Sequence, residues 1–314
     1  MTRWLAGLGK DMLVPGHALG RVHSVFEHAC NIALDDGQWL SLLDNTWANA
    51  PLAVRLDVAG GFQLLFHPGE PFSIKAGVWR TGRCRGDIAG LPVGTPVPAQ
   101  EALPVALIET NLDRLDAELA AWQASHPHAR PAARLTALAG AMGDAIAQRD
   151  PGALDAITCQ LVGNGHGLTP SGDDILTGCL AALWRLSCLD HAMHPLLSSF
   201  CATLKCQLHR TNEVSRHYLG LAIRNRFVQP LDELRQCCLG EPDAVQLRGA
   251  CRQALRMGSS SGFDGVTGLA VTYRAALAWH GAAGPFPRPV APKCAAWRLR
   301  NAPLCLNRSN KVRA

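Results

Sequence analysis

An α+β fold is what this sequence predicts: a β-rich, barrel- or sandwich-like N-terminal part followed by a mainly α-helical C-terminal part. Short apolar or alternating runs separated by turn formers fill the first hundred residues. From about Pro104 the apolar spacing lengthens to the three-to-four period of a helix. The helical runs then follow one another through short connections, which keeps the two kinds of structure in separate stretches of chain.

Strands are expected at 21–26, 39–43, 53–58, 62–66 and 72–79. Asp35-Asp36-Gly37, Gly60-Gly61 and His67-Pro68-Gly69-Glu70 supply the turns between them. Residues 91–100 hold three prolines and read as a linker between a domain at 12–100 and a helical domain at 104–284. Leu107, Leu112, Leu115, Leu119 and Trp122 mark the first helix. Further helices fit 132–148, 152–161, 173–186, 195–208, 212–224, 231–238, 244–257 and 266–279.

Composition narrows the functional classes. The 314 residues are 48% hydrophobic and 18% charged, the balance of a folded chain with a sizeable core. No apolar stretch approaches the roughly 18 residues of a membrane helix, and the first fifteen residues lack the apolar segment of a signal peptide. A cytoplasmic protein that meets no membrane is expected. The twelve cysteines include no CxxC pair, so they read as buried thiols. The net charge of +5 resides in the end of the chain: residues 285–314 carry seven bases and no acid, leaving 23 bases against 25 acids elsewhere. That tail reads as disordered. With no interleaved aromatic and basic pattern, nucleic acid is not an expected partner.

The most unusual segment runs from Leu161 to Gly178. Gly163, Gly165 and Gly167 alternate, which permits positive φ and close backbone approach. A helix start follows, with Thr169 or Ser171 placed to cap it and Gly172, Asp173 and Asp174 in its first turn. Unpaired N–H groups at such a start suit a phosphate or carboxylate. Two adjacent aspartates would repel a bare anion, so they point to Mg²⁺ bridging to phosphate or to acceptance from an amide or amino group. The plain alternative is an ordinary capped helix.

Ser171–Gly178 is echoed by Ser261–Gly268: Ser, Gly, Asp, Thr and Gly recur at five of eight aligned positions. If the two starts face each other, Asp174 and Asp264 flank one ligand, with Ser260, Ser261 and Gly262 beside them; these two aspartates are also the ones that would hold a metal. Two unrelated capped helices would give the same pattern. Between the segments, residues 208–217 open another helix that Thr211 or Asn212 can cap, and Arg210 is placed to meet an anion. His166 in the Gly-rich loop is a further acid, base or ligand. No Walker A loop, GxSxG elbow or HExxH motif occurs.

Gly-Leu-Thr-Pro-Ser-Gly-Asp-Asp at 167–174, Thr-Asn-Glu-Val-Ser at 211–215 and Gly-Ser-Ser-Ser-Gly-Phe-Asp-Gly at 258–265 occur here in one order. Together they resemble a bacterial family, formerly a domain of unknown function, that includes a subunit of oxamate carbamoyltransferase from anaerobic allantoin breakdown. His28-Ala-Cys-Asn31 is similar to its N-terminal pattern, and the likeness spans about residues 12–280. The family more often has Thr-Thr where this chain has Thr211-Asn212, and many of its members lie outside the allantoin pathway.

The resemblance implies a part in moving a carbamoyl group between phosphate and oxamate, within a multi-subunit enzyme. On this reading Asp173, Asp174 and Asp264 are the catalytic candidates. Gly165, His166, Gly167, Thr169, Ser171, Gly172, Arg210, Thr211, Asn212, Ser260, Ser261 and Gly262 would bind carbamoyl phosphate or a small amide-bearing anion. No cofactor is fixed by the sequence; Mg²⁺ is the ion the paired aspartates would take. Two competing expectations are a magnesium-dependent all-helical hydrolase similar to ADP-ribosylglycohydrolases, and a non-catalytic anion-binding or scaffolding subunit.

Overall fold

Strand β1 (His17–Val25) alternates exposed and buried residues over its first seven positions and becomes the middle of the N-terminal sheet. A computed structural model describes residues 17–88, 105–126, 132–240 and 243–283. On one side of β1 lie β2 (Ala29–Leu34), β3 (Trp39–Leu43) and β4 (Ala53–Arg55); on the other lie β5 (Pro71–Lys75), β6 (Val78–Thr81) and β7 (Cys84–Asp87). All neighbours are antiparallel except β3 and β4. The seven strands curl into a half-barrel whose inner face holds Val22, Ile32, Leu42, Phe72, Ile74 and Trp79.

Three strand expectations need correction. Residues 62–66 form a one-turn helix, α1 (Phe62–Leu65), because Gly60 and Gly61 both take positive φ and turn the chain in. Phe62 and Phe66 then lie one turn apart and edge-to-face at 5.2 Å, both buried. Residues 72–79 are not one strand but the hairpin β5–β6, broken at Ala76-Gly77, where φ is 49° and 78°. Residues 53–58 pair only over the three residues of β4. Strands β2 and β7 carried no expectation. The linker at 91–100 and the basic tail lie outside the described residues.

Nine helices follow among the described residues, and each answers an expected run: α2 (Val105–Ser125), α3 (Ala133–Ala147), α4 (Pro151–Leu161), α5 (Ser171–Leu189), α6 (His194–Gln207), α7 (Glu213–Ile223), α8 (Gln229–Cys237), α9 (Ala244–Leu255) and α10 (Ser261–Ala283). None is long and apolar enough to cross a membrane. Helix α5 is buried on all sides, as its run of Ile, Leu, Ala and Cys requires, and the others pack around it. Of the ten described cysteines five are buried, while Cys188 and Cys206 are exposed, so the expectation of buried thiols holds in part; burial pushes the thiols of Cys30, Cys179, Cys201 and Cys251 up to about 12.

Helices α5 and α10 run side by side in the same direction. Gly178 faces Gly265 and Leu269, Gly268 faces Ile175, and Cys179 meets Thr272. A Cβ on Gly178 would lie 1.8 Å from Gly265 O, and one on Gly268 would lie 2.1 Å from Ile175 O. The sheet joins the helices through α7 and α8: His23 Nε2 lies 3.1 Å from Glu213, Trp39 faces His217, and Asn49 exchanges two 2.8 Å hydrogen bonds with Gln229.

Gly178→Ala and Gly268→Ala are therefore expected to destabilise the fold by roughly 1–3 kcal/mol or more through overpacking. Gly140→Ala, in α3 with open space around the new methyl, should stabilise it by about 0.5–1 kcal/mol. Thermal or urea denaturation of the three variants checks the contrast.

Candidate functional site

The loop between α4 and α5 lies flat against its neighbours. Gly163 has φ 71° and Gly165 φ 133°, conformations open to glycine. A Cβ at these positions would stand 2.5 Å from Arg210 O and 2.6 Å from Ser171 N. Gly165, His166 and Gly167 are exposed at its tip.

Part of the expected row of unpaired N–H groups is taken by the chain itself. Gly172 N–H donates to Asn164 O at 2.8 Å and Asp173 N–H to Pro170 O at 2.8 Å, and at α10 Gly262 N–H donates to Met257 O. At these positions the chain entering the helix folds back and its carbonyls take the donors. Neither Thr169 nor Ser171 caps α5; Pro170 stands at the cap, and Thr169 Oγ1 instead meets Ser261 Oγ at 2.7 Å.

The two echoing segments do face each other. Exchanging 171–178 with 261–268 maps the contacts onto themselves. Gly178 against Gly265 becomes Gly268 against Ile175; Ser171 beside Asp264 becomes Ser261 beside Asp174. Gly172 and Gly262 each press on the last turn of the preceding helix, at Leu161 O and Ala254 O. The pair thus has an approximate local two-fold relation, and its dipoles add at one place. Acidic side chains in both first turns offset that positive end.

Asp174 and Asp264 lie in this shared start. Asp264 is 1% exposed and neither of its carboxylate oxygens has a hydrogen-bond partner; Asp174 Oδ2 has none either. Burial pushes the Asp264 carboxyl up to about 6, moderated by the nearby Ser171 and Ser260 hydroxyls. Burial raises Asp174 well above the usual carboxylate range, with Ser261 and Thr169 opposing and the charges of Asp264 and Asp173 adding to the rise.

Asp173 is different. Its Oδ1 accepts from Gly163 N–H at 2.8 Å, and its Oδ2 accepts from Thr211 Oγ1 at 2.5 Å and Ser215 Oγ at 2.6 Å. It ties the Gly-rich loop to the start of α7. Asn212 caps α7 through Ser215 N–H and reaches Gly167 O at 3.4 Å. Arg210 donates to Cys159 O at 2.6 Å, so its guanidinium is turned to the end of α4. Ser215 escaped the sequence reading; its signal was the four-residue spacing from Thr211, which puts both hydroxyls on one side of the helix start.

Asp174, Asp264 and the flanking hydroxyls are hard oxygen donors of the kind Mg²⁺ takes. The described residues nevertheless gather no group of three or more His, Cys, Asp and Glu around a point that could hold a metal ion.

A raised folded-state pKa on an aspartate means the folded protein holds a proton that the unfolded chain releases. Stability is then full below about pH 4 and falls as pH rises through about 6. For Asp264 this amounts to about 3 kcal/mol. Asp264→Asn should accordingly gain stability over the parent chain between pH 4 and pH 7 and level off above. Urea titrations across that range would show it, and a pH-independent difference would contradict it.

The family model described as oxamate carbamoyltransferase subunit AllH matches residues 161–273, which span both helix starts. That described as the AllH family N-terminal domain matches residues 5–91, which include the whole half-barrel. No curated protein and no solved structure matches the chain. The two matches together cover more than half of the chain, and the chain belongs to the AllH family of oxamate carbamoyltransferase subunits.

Proposed function

We propose that the shared start of α5 and α10 is the carbamoyl-binding part of a carbamoyltransferase and that this chain works with partner subunits. The observation that carries the reading is the pair Asp174, half-buried, and Asp264, buried: three of their four oxygens are shut off from solvent and lack hydrogen-bond partners, and the two residues are related by a local two-fold exchange. Leaving such groups unpaired costs about 1–3 kcal/mol each, more when charged, so a ligand that satisfies them recovers that cost on binding.

A carbamoyl group attached to nitrogen, H₂N–CO–NH–, carries two N–H-bearing nitrogens around one carbonyl. That is a nearly two-fold group, and it matches a two-fold pair of acceptors. On this reading Asp264 and Asp174 each accept from an N–H of the group and hold the carbamoyl carbon in place as phosphate oxygen attacks it. The C–N bond to oxamate then breaks and its nitrogen takes up the proton that phosphate gave. Asp173 acts here as a positioning residue, since its oxygens are occupied by three donors.

The anionic ends of the substrates need cations, and Arg210 is engaged with Cys159 O. On this reading another subunit holds the phosphate.

The test is phosphate-dependent cleavage of oxalurate to carbamoyl phosphate and oxamate, by the chain alone and with its partner subunits. Turnover is expected with partners only. Asp174→Asn and Asp264→Asn should each lower kcat/KM by roughly 100-fold, the loss typical of one transition-state hydrogen bond. Unchanged turnover and unchanged oxalurate binding in both variants would remove the site from the reaction.

A further inference from the structure

Three carboxylate oxygens set the terms at the shared start of α5 and α10. Both oxygens of Asp264 and Oδ2 of Asp174 are shut off from solvent without a hydrogen-bond partner. Ionised, all three can only accept. Donors nearby are already spent in part. The Gly172, Asp173 and Gly262 N–H groups go to backbone carbonyls, and Thr169 Oγ1 and Ser261 Oγ use one proton on each other at 2.7 Å.

Charge makes the same demand as hydrogen bonding. None of the ion pairs among the described residues includes either aspartate. The charges that act on Asp174 are those of Asp264 and Asp173, both negative. Arg210 and Arg216, on the polar run between the two helix starts, donate to Cys159 O, Leu208 O and Thr211 O. Buried carboxylates are ordinarily paired with a cation. Here burial raises both carboxyls instead, and protons supply the neutralisation that a cationic ligand would otherwise provide.

A carbamoyl group answers part of this demand. Its nitrogens donate, but its carbonyl oxygen is one more acceptor, and the group brings no charge. Replacing C=O by C=NH₂⁺ keeps the planar shape, turns that acceptor into a donor and adds one positive charge. The result is an amidinium, or a guanidinium where nitrogen stands on all three sides. Access is at Asp174, which is half-buried like Thr169 and Ser261 beside it, with Leu168 exposed next to Thr169 in the chain.

We infer that small amidinium and guanidinium compounds are a further ligand class of this chain, bound between Asp174 and Asp264 with N–H groups donating to both carboxylates. This rests on the reading of the site as the seat of a carbamoyl group, whose shape these cations share. No bond is made or broken. The cation fills the carbamoyl place, so in the assembled enzyme it excludes oxalurate and stops transfer.

The experiment is calorimetric titration of the full chain with acetamidinium chloride, beside acetamide, its neutral isostere, and tetramethylammonium, a cation without N–H. Acetamidinium should bind at least about tenfold tighter than either, the margin of hydrogen bonds to a charged group over neutral ones. Asp264→Asn, expected to be at least as stable as the parent chain near neutral pH, should weaken its binding roughly 30-fold or more, and Asp174→Asn likewise. No binding of acetamidinium overturns the inference. Acetamide or tetramethylammonium binding as tightly also overturns it, as does an affinity that neither substitution alters. On the complex reconstituted with its partner subunits, oxalurate turnover that acetamidinium leaves uninhibited overturns the cation site and leaves the carbamoyltransferase reading standing. No turnover in that complex, with acetamidinium binding that depends on Asp264, removes the carbamoyltransferase reading and leaves the cation site.

Discussion

Backbone contact between α5 and α10 is the constraint on which the rest of the molecule depends. Helices usually pack with their axes 8–10 Å apart, kept there by side chains. Here glycines remove the side chains from the contact, so the two backbones meet directly at Gly178–Gly265 and Ile175–Gly268. Parallel helices in such contact bring their positive ends together, and the first-turn aspartates lie at that shared end. There the dipoles favour their charge while burial opposes it, and burial is the larger effect.

Two carboxylates carry unequal burdens in one first turn. Asp173 accepts three hydrogen bonds and anchors a loop and a helix; Asp174, one residue on, keeps an oxygen with no partner. The difference comes from rotation about the helix axis: a step of 100° turns one side chain toward α7 and its neighbour toward α10. Asp264 has no anchoring bonds of this kind, and burial, which disfavours its charge, raises its carboxyl.

The helical half was legible because each helix buries one side and writes a period of three to four into the chain; α5, buried all round, was found by its flanking signals as much as by its period. The sheet was less legible. Cys30, Ile32 and Asn31 of β2 are all buried, so no alternation marks it, and Ala76-Gly77 hid a hairpin inside what reads as one alternating run, 72–79. At the site, the echo between Ser171–Gly178 and Ser261–Gly268 located the helix pair correctly. What sequence could not give was the fate of the helix-start N–H groups. Whether Pro170 O or a ligand takes them depends on how the preceding loop folds back, which is fixed by three-dimensional contacts such as Gly165 on Ser171.

Three of the eight positions differ between the two helix starts, and one of them exchanges a charged residue for an apolar one. Where α5 has Asp173, α10 has Phe263, stacked on Trp122 at 4.9 Å. One start is thus wired by polar bonds to α7, and through Glu213, His217 and Tyr218 to the sheet; the other is seated in aromatic packing on α2. The two starts therefore sit in unlike mounts: short directional bonds tie the α5 side to α7, which in turn meets the half-barrel, while the α10 side rests on a flat ring.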